Sequence, residues 1–105
     1  MSKNGQAFKA ILITKGRKTG REHSVWLRAV MYNDKVYFSR HKPDSDWFQN
    51  ALTNSDVKVK FDDVTRVGKA SIVADLELRR KISQLKYPDE ERANEQRVSL
   101  EISLN

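Results

Sequence analysis

The sequence contains no cysteine, and it has only two prolines and four glycines in 105 residues. Without cysteine the chain has no disulfide, no thiolate metal site and no cysteine nucleophile. It also lacks an apolar leader at its start, so we expect a protein of the reducing cytoplasm. No apolar run reaches the roughly 20 residues that a membrane-spanning helix needs, and no membrane partner is therefore expected.

Positive charge exceeds negative charge, with 20 Lys and Arg against 14 Asp and Glu and a net charge of +6. Hydrophobic residues make up 38% and charged residues 32%, which predicts one globular domain over residues 1–105. A cationic chain favours nucleic acids, phosphorylated cofactors or anionic surfaces as partners, and composition alone does not choose among them. Four of the basic residues fall in one short segment: Lys15, Arg17, Lys18 and Arg21.

Short apolar and alternating segments predict six strands, at residues 8–14, 24–32, 35–39, 57–61, 64–74 and 98–104. A helix with an aromatic inner face is predicted over residues 46–53. A second helix is predicted to follow a cap at Asp75, and a short third helix to begin at Pro88. So many short strands with hairpin-type links favour an antiparallel barrel over a βαβ fold. We therefore predict a mainly β (α+β) fold, a six-stranded antiparallel barrel with two or three short helices.

The loop at residues 16–20 is the strongest local feature. Its two glycines allow a tight turn in which backbone N–H groups come close to a ligand. Arg17 and Lys18 add positive charge and Thr19 adds a hydroxyl, which together suit a phosphate or a carboxylate. The spacing is not that of a P-loop, which needs four residues between its glycines. The alternative is a solvated basic hairpin without a ligand.

Other polar residues indicate no site. His23 and His41 have no partner at metal-ligand spacing, and neither do the acidic residues at 62–63 and 89–91. We predict no metal site, although His23 lies beside the basic loop and can contact a phosphate. Trp26 and Phe48 are expected in the core.

At the loop the sequence also resembles a known family. Residues 10–20 are similar to the opening strand and loop of the deazaflavin-dependent nitroreductases, which belong to the flavin-binding split barrels together with the pyridoxamine-phosphate-oxidase-like proteins. Residues 47–50, Trp-Phe-Gln-Asn, resemble the aromatic helix of that family, and Tyr87-Pro88 is a third match. The resemblance spans about residues 8–104 and implies a six-stranded antiparallel split β-barrel.

The resemblance implies a groove that holds a deazaflavin or, in relatives, FMN or haem. Four residues match the loop that binds the cofactor's phosphate: Arg17, Lys18, Thr19 and Gly20. Lys42 matches a basic residue that meets the acidic tail, and Trp47 and Asn50 match the lining of the groove. Tyr87 matches an aromatic residue near the reactive face of the ring, where it is a candidate proton donor.

Two departures from the family pattern matter. The segment 42–46 is shorter than in the family and lacks its paired glycines, and the residues after Tyr87-Pro88 lack its further tyrosines. Nitroreduction itself is therefore not predicted.

The sequence thus favours an oxidoreductase that transfers hydride from a bound cofactor to a small substrate. Coenzyme F420, a deazaflavin, ranks first as the cofactor and FMN second. The alternative is a non-catalytic cofactor-binding or carrier protein, or one without a cofactor. A basic nucleic-acid-binding barrel, using Lys58, Lys60 and Lys69, ranks last because no strand shows the aromatic and basic pattern of RNA-binding sheets. We expect a homodimer, since a domain this small gains from extra burial.

Overall fold

The computed structural model describes residues 5–40, 45–95 and 97–104. Its six strands are β1 (Gln6–Lys15), β2 (Glu22–Tyr32), β3 (Lys35–Arg40), β4 (Asp56–Phe61), β5 (Val64–Ile72) and β6 (Val98–Leu104). Two α-helices, α1 (Asp46–Thr53) and α2 (Leu76–Lys86), and a 3₁₀ turn at Glu91–Asn94 lie between the strands.

The strands close into an antiparallel barrel in the order β1-β2-β3-β6-β5-β4. The β2–β3 and β4–β5 hairpins turn through two residues each, Asn33–Asp34 and Asp62–Asp63, which all have positive φ between 51° and 61°. Such left-handed pairs make the turn whose twist matches that of the flanking strands, and Asn and Asp tolerate it better than most residues. The turns therefore set the register of both hairpins.

The hydrophobic core fills the barrel, and α1 closes one end of it. Trp47, Phe48 and Ala51 of α1 are buried, and the Trp47 ring packs edge-on against Phe38 and Phe48 at centroid distances of 6.2 and 5.6 Å. Helix α2 instead packs outside the barrel, where Ile82 joins a separate cluster with residues of β2 and β3. One helix is thus part of the core and the other covers an outer face.

The structure confirms the predicted mainly β fold, its six strands and both α-helices. The predicted burial of Phe48 is confirmed, but that of Trp26 is wrong, because its side chain is 68% exposed. Side chains alternate along a strand, and Val25 and Leu27 on either side of Trp26 pack against the core. Trp26 therefore faces outward.

Neither α1 nor α2, the α-helices of the described part of the chain, has the length and hydrophobicity that crossing a bilayer requires.

Gly68 of β5 leaves no room for a side chain beside β6. A Cβ atom there would lie 2.8 Å from Cγ2 of Ile102 and 2.9 Å from the backbone oxygen of Ser103. Because β6 cannot move away without opening the barrel, we expect Gly68→Ala to lower the free energy of unfolding by about 1–3 kcal/mol. Urea denaturation measures this. Ser71→Ala, at an exposed position of the same strand, is the control and should change it by less than about 0.5 kcal/mol.

Candidate functional site

The basic loop joins β1 to β2 and is closed by its own backbone. The amide of Gly16 donates to the carbonyl of Arg21 at 2.8 Å, and the amide of Gly20 donates to the carbonyl of Gly16 at 3.0 Å. Gly20 has a φ of +70°, which favours glycine. A Cβ at Gly16 would lie 2.7 Å from Nε2 of His23, an exposed side chain that would have to move. The backbone conformation therefore favours glycine at position 20, and at position 16 glycine leaves room for the imidazole.

Arg17 ties this loop to the start of α1. Its Nη1 donates to Oδ1 of Asn50 at 2.9 Å and to the carbonyl of Asp46 at 3.2 Å. Its Nη2 lies 3.5 Å from Oδ1 of Asp46, whose side chain is 93% exposed. The guanidinium therefore has protein partners of its own, and these hold the loop against the helix.

Asn50 links three parts of the fold through one buried amide. Its Oδ1 accepts from the backbone N–H of Arg17 at 3.3 Å as well as from the guanidinium, and its Nδ2 donates to Oγ1 of Thr14 at 3.3 Å. Asn50 is 5% exposed and Thr14 1%. Because Asn50 and Thr14 are buried, losing these hydrogen bonds would be costly, and the amide holds β1, the loop and α1 together.

Lys18 and Thr19 carry the donors of the loop that remain available. Within the described residues, neither the Lys18 ammonium nor the backbone amides of Lys18 and Thr19 have a hydrogen-bond partner. The Thr19 hydroxyl accepts from the amide of Arg21 at 3.2 Å and keeps its own proton to donate. An ammonium, two amides and a hydroxyl on consecutive residues form a donor set that suits a phosphate.

These donors border a groove of about 400 Å³ between the loop, β2 and α1. The residues that line it are Gly16, Arg17, Lys18, Thr19, His23, Ser24, Val25, Asp46, Trp47 and Asn50. The structure thus brings together six of the predicted site residues: Arg17, Lys18, Thr19, His23, Trp47 and Asn50. The volume lies within the usual range for a small-molecule site.

The other predicted residues are not part of this lining. Gly20 shapes the loop without facing the groove, and Lys42, like His41, lies outside the described residues. Tyr87 ends α2 and is buried, with Nζ of Lys86 and the guanidinium of Arg97 5.2 and 5.3 Å from its ring centroid. The structure therefore does not bring Tyr87 into the groove.

Sequence reasoning missed Thr14, Ser24, Val25 and Asp46. Asp46 was the one with a signal, since it precedes the aromatic motif and its charge lies in the first turn of α1. Thr14 gave no signal, because a threonine at the end of an apolar strand is typical of any half-buried strand.

The basic residues proposed for nucleic acid are partly paired. Lys58 forms an ion pair with Glu22 at 2.8 Å, and Lys69 pairs with Asp56. Hydrogen bonding to these lysines lowers the pKa of both carboxyl groups. Of the three lysines proposed for nucleic acid, Lys58 and Lys69 thus already have a carboxylate counterion.

No group of three or more His, Asp or Glu side chains in the described ranges is placed to hold a metal ion.

The six-stranded closed barrel is the split-barrel fold found in deazaflavin-dependent reductases and pyridoxamine-phosphate-oxidase-like proteins. A conserved hypothetical protein of Mycobacterium tuberculosis superposes with a TM-score of 0.74 at 18% identity, over 92% of this chain and 72% of the other. An F420-H2-dependent reductase superposes with a TM-score of 0.71 at 19% identity, over 90% of this chain and 93% of the other. A third structure, a domain-swapped dimer, superposes with a TM-score of 0.72 at 20% identity, over 90% of this chain and 79% of the other. No sequence family and no curated protein matches the chain by sequence.

The buried amide of Asn50 gives a test of how the groove is built. Replacing it in Asn50→Ala leaves the Arg17 amide and the Thr14 hydroxyl without their partner, and we expect a loss of about 2–3 kcal/mol in the free energy of unfolding. Hydrogen exchange at the Arg17 amide should accelerate as well. Asp46→Asn, which removes the exposed ion pair to the same arginine and the first-turn charge of α1 but no buried partner, should cost less than about 1 kcal/mol. Equal losses in the two variants would contradict this account of the loop.

Proposed function

We propose that the groove binds the phosphate-bearing part of a deazaflavin or flavin cofactor, and that the protein is a cofactor-dependent reductase. The observation that carries the proposal is the donor set of Lys18 and Thr19, held beside a groove that Trp47 lines. The likeness of the fold to an F420-H2-dependent reductase supports the same reading. The cofactor when bound supplies hydride chemistry, and the chain supplies binding and orientation.

Charge in the groove favours coenzyme F420 over FMN. Arg17 is paired with Asp46, so Lys18 is the one lining lysine or arginine without a partner among the described residues. At the phosphate itself the deazaflavin coenzyme has a phosphodiester with one negative charge, since the resemblance assigns its acidic tail to Lys42, whereas FMN ends in a phosphomonoester with a charge of about −1.5 to −2 at pH 7. The Asp46 carboxylate repels the second charge. We therefore propose F420 as the first ligand and FMN as the second.

Each groove residue has a distinct part in this proposal. Lys18 and Thr19 hold the phosphate, Arg17 and Asn50 position the loop, and the edge of Trp47 forms an apolar wall. His23 lies against Gly16 and closes the side of the phosphate site. Tyr87 is assigned no proton transfer, because it is not in the groove. The substrate of the reductase is a small molecule, and a homodimer is the proposed assembly, supported by the swapped dimer of similar fold.

A carrier that binds the cofactor without turnover is the second proposal. It rests on the lining itself, which contains no tyrosine, so that Tyr87, the candidate proton donor, lies elsewhere. Bound cofactor that is not reoxidised by any small electrophile would support the carrier.

Titration of the protein with coenzyme F420 and with FMN, followed by cofactor fluorescence, tests the proposed function. We expect micromolar binding of F420. Lys18→Ala should weaken it about tenfold, or about 1.4 kcal/mol, because the variant loses the unpaired cation. Lys81→Ala, at an exposed lysine of α2, is the matched control and should leave the affinity unchanged. Binding of neither cofactor would overturn the proposal.

The role of Asp46 predicts a change in selectivity. At about 6 Å in a water-like dielectric, one carboxylate charge repels each phosphate charge by about 0.7 kcal/mol. Asp46→Asn should therefore raise the affinity for F420 about threefold and that for FMN about tenfold at low salt, with both gains reduced by added salt. Glu77→Gln removes an exposed carboxylate from the first turn of α2 and should change neither the affinity for F420 nor that for FMN. Equal gains for the two cofactors would show that Asp46 does not select between them.

A further inference from the structure

The outward face of four neighbouring strands carries most of the positive charge of the molecule. Successive side chains of a strand alternate between the two sides of a sheet, so the pairing of β2, β1, β4 and β5 shows which residues share this face. Its cations are Lys9, Lys15, Arg28, Lys58, Lys60 and Lys69, and its carboxylates are Glu22 and Asp56. Six cations and two carboxylates give a net charge of +4, against +6 for the whole chain.

Trp26 lies on this cationic face with its side chain 68% exposed. Its neighbour on β1 is Ile11, which is in turn opposite Lys60 of β4. Lys9 and Arg28 lie opposite each other, two residues further along the same face. Strands lie about 4.8 Å apart and rise about 3.4 Å per residue, so the Cα atoms of all three cations are within about 10 Å of that of Trp26. An exposed indole is thus surrounded by cations.

These three cations have no carboxylate partner within the described ranges. Lys9 and Lys60 are exposed and take part in no ion pair there. Arg28 donates from Nη1 to the carbonyl of Lys86 at 3.2 Å, which positions the guanidinium and leaves its charge uncompensated. They differ in this from the two lysines whose ion pairs are described above. Their charge is therefore available to an anionic partner.

An exposed indole among unpaired cations suits a nucleobase and the phosphates on either side of it. Aromatic planes stack on bases of any sequence, while the cations around them bind the backbone. A lipid surface fits this face less well, because Ile11 and Ile13 next to the indole are half-buried and leave little apolar area to insert. Sequence alone ranks nucleic acid last for want of an aromatic residue among the lysines, and the exposure of Trp26 supplies one.

We propose that the face around Trp26 binds single-stranded nucleic acid. A base stacks on the indole in a groove of about 470 Å³ that Lys9, Leu27 and Arg28 also line and that no carboxylate borders. Lys9 and Arg28 bind the phosphates next to that base, and Lys60 binds the strand where it crosses β1 towards β4. This binding function is separate from the proposed reductase, and the cofactor has no part in it.

Titration with an oligothymidylate of about ten nucleotides, followed by tryptophan fluorescence, tests the proposal. The chain has two tryptophans, and Trp47 is 8% exposed in the core, so quenching by a stacked base reports on Trp26. We expect a Kd of about 1–100 µM at physiological salt. By anisotropy of a labelled oligonucleotide, Trp26→Ala should weaken binding about tenfold, whereas Trp26→Phe should keep most of the affinity. Absence of binding to the wild type would overturn the proposal.

Two controls separate a built site from attraction by net charge. Lys60→Ala removes one phosphate contact and should reduce the slope of log affinity against log salt by about 0.7, whereas Lys81→Ala, at an exposed lysine of α2, should leave the slope unchanged. An abasic oligomer of the same length has the phosphates without the bases and should bind about tenfold more weakly. Equal effects of the two lysine variants, or equal affinity for the abasic oligomer, would refute the stacking site.

Other occupants of this face give different results. Vesicles that contain phosphatidylserine should leave the fluorescence of Trp26 unchanged, and a blue shift with vesicles but no quenching by the oligonucleotide would mark a lipid-binding face instead. Trp26→Ala should sediment as the wild type does, because dissociation of the variant would make Trp26 a subunit contact. Either of those two results overturns the nucleic-acid site. The proposed function depends on none of them, since the F420 titration measures it separately.

Discussion

The groove depends on one buried side-chain amide. Asn50 accepts two hydrogen bonds from Arg17 and donates one to Thr14, so a single residue of α1 determines where β1 ends and how the basic loop leaves it. Such bonds are strong where water cannot compete for the same atoms. The position of the amide is in turn fixed by Trp47 and Phe48, which anchor α1 in the end of the barrel. Packing of the core thus sets the geometry of a polar surface site.

Most of the fold could be predicted from local pattern, and Trp26 shows where such pattern stops. Alternation in β4 and β6 and the cap at Asp75 identify their elements directly, and the structure has each of them. In β2, however, Val25, Trp26 and Leu27 are three hydrophobic residues in a row. An apolar side chain is buried whether positions 25 and 27 or position 26 face the core. Pairing with β1 decides between them, and a one-residue shift would have buried the indole. That choice is made by a long-range contact.

The candidate site was predictable in its location and less so in its chemistry. Glycines and consecutive cations mark the loop, but Arg17 and Lys18 are adjacent and equally basic in the sequence. The difference between them comes from Asp46 and Asn50, which are 29 and 33 positions away from Arg17 in the chain and reach it only after the barrel closes. Local reasoning therefore assigns the same ligand-binding role to both residues, and it cannot show that α1 engages Arg17 and leaves Lys18 without a partner among the described residues.

The way the barrel closes also bears on how this protein can assemble. Each of the six strands has a strand on both sides for part of its length, but β2 pairs with β3, and β1 with β4, over three residues each. Residues 22–29 of β2 therefore have a partner strand on one side only. Unpaired strand edges are the usual template for adding a strand from another molecule. The stretch of β2 beside the basic loop is thus where the described sheet leaves such an edge, although the barrel as a whole is closed.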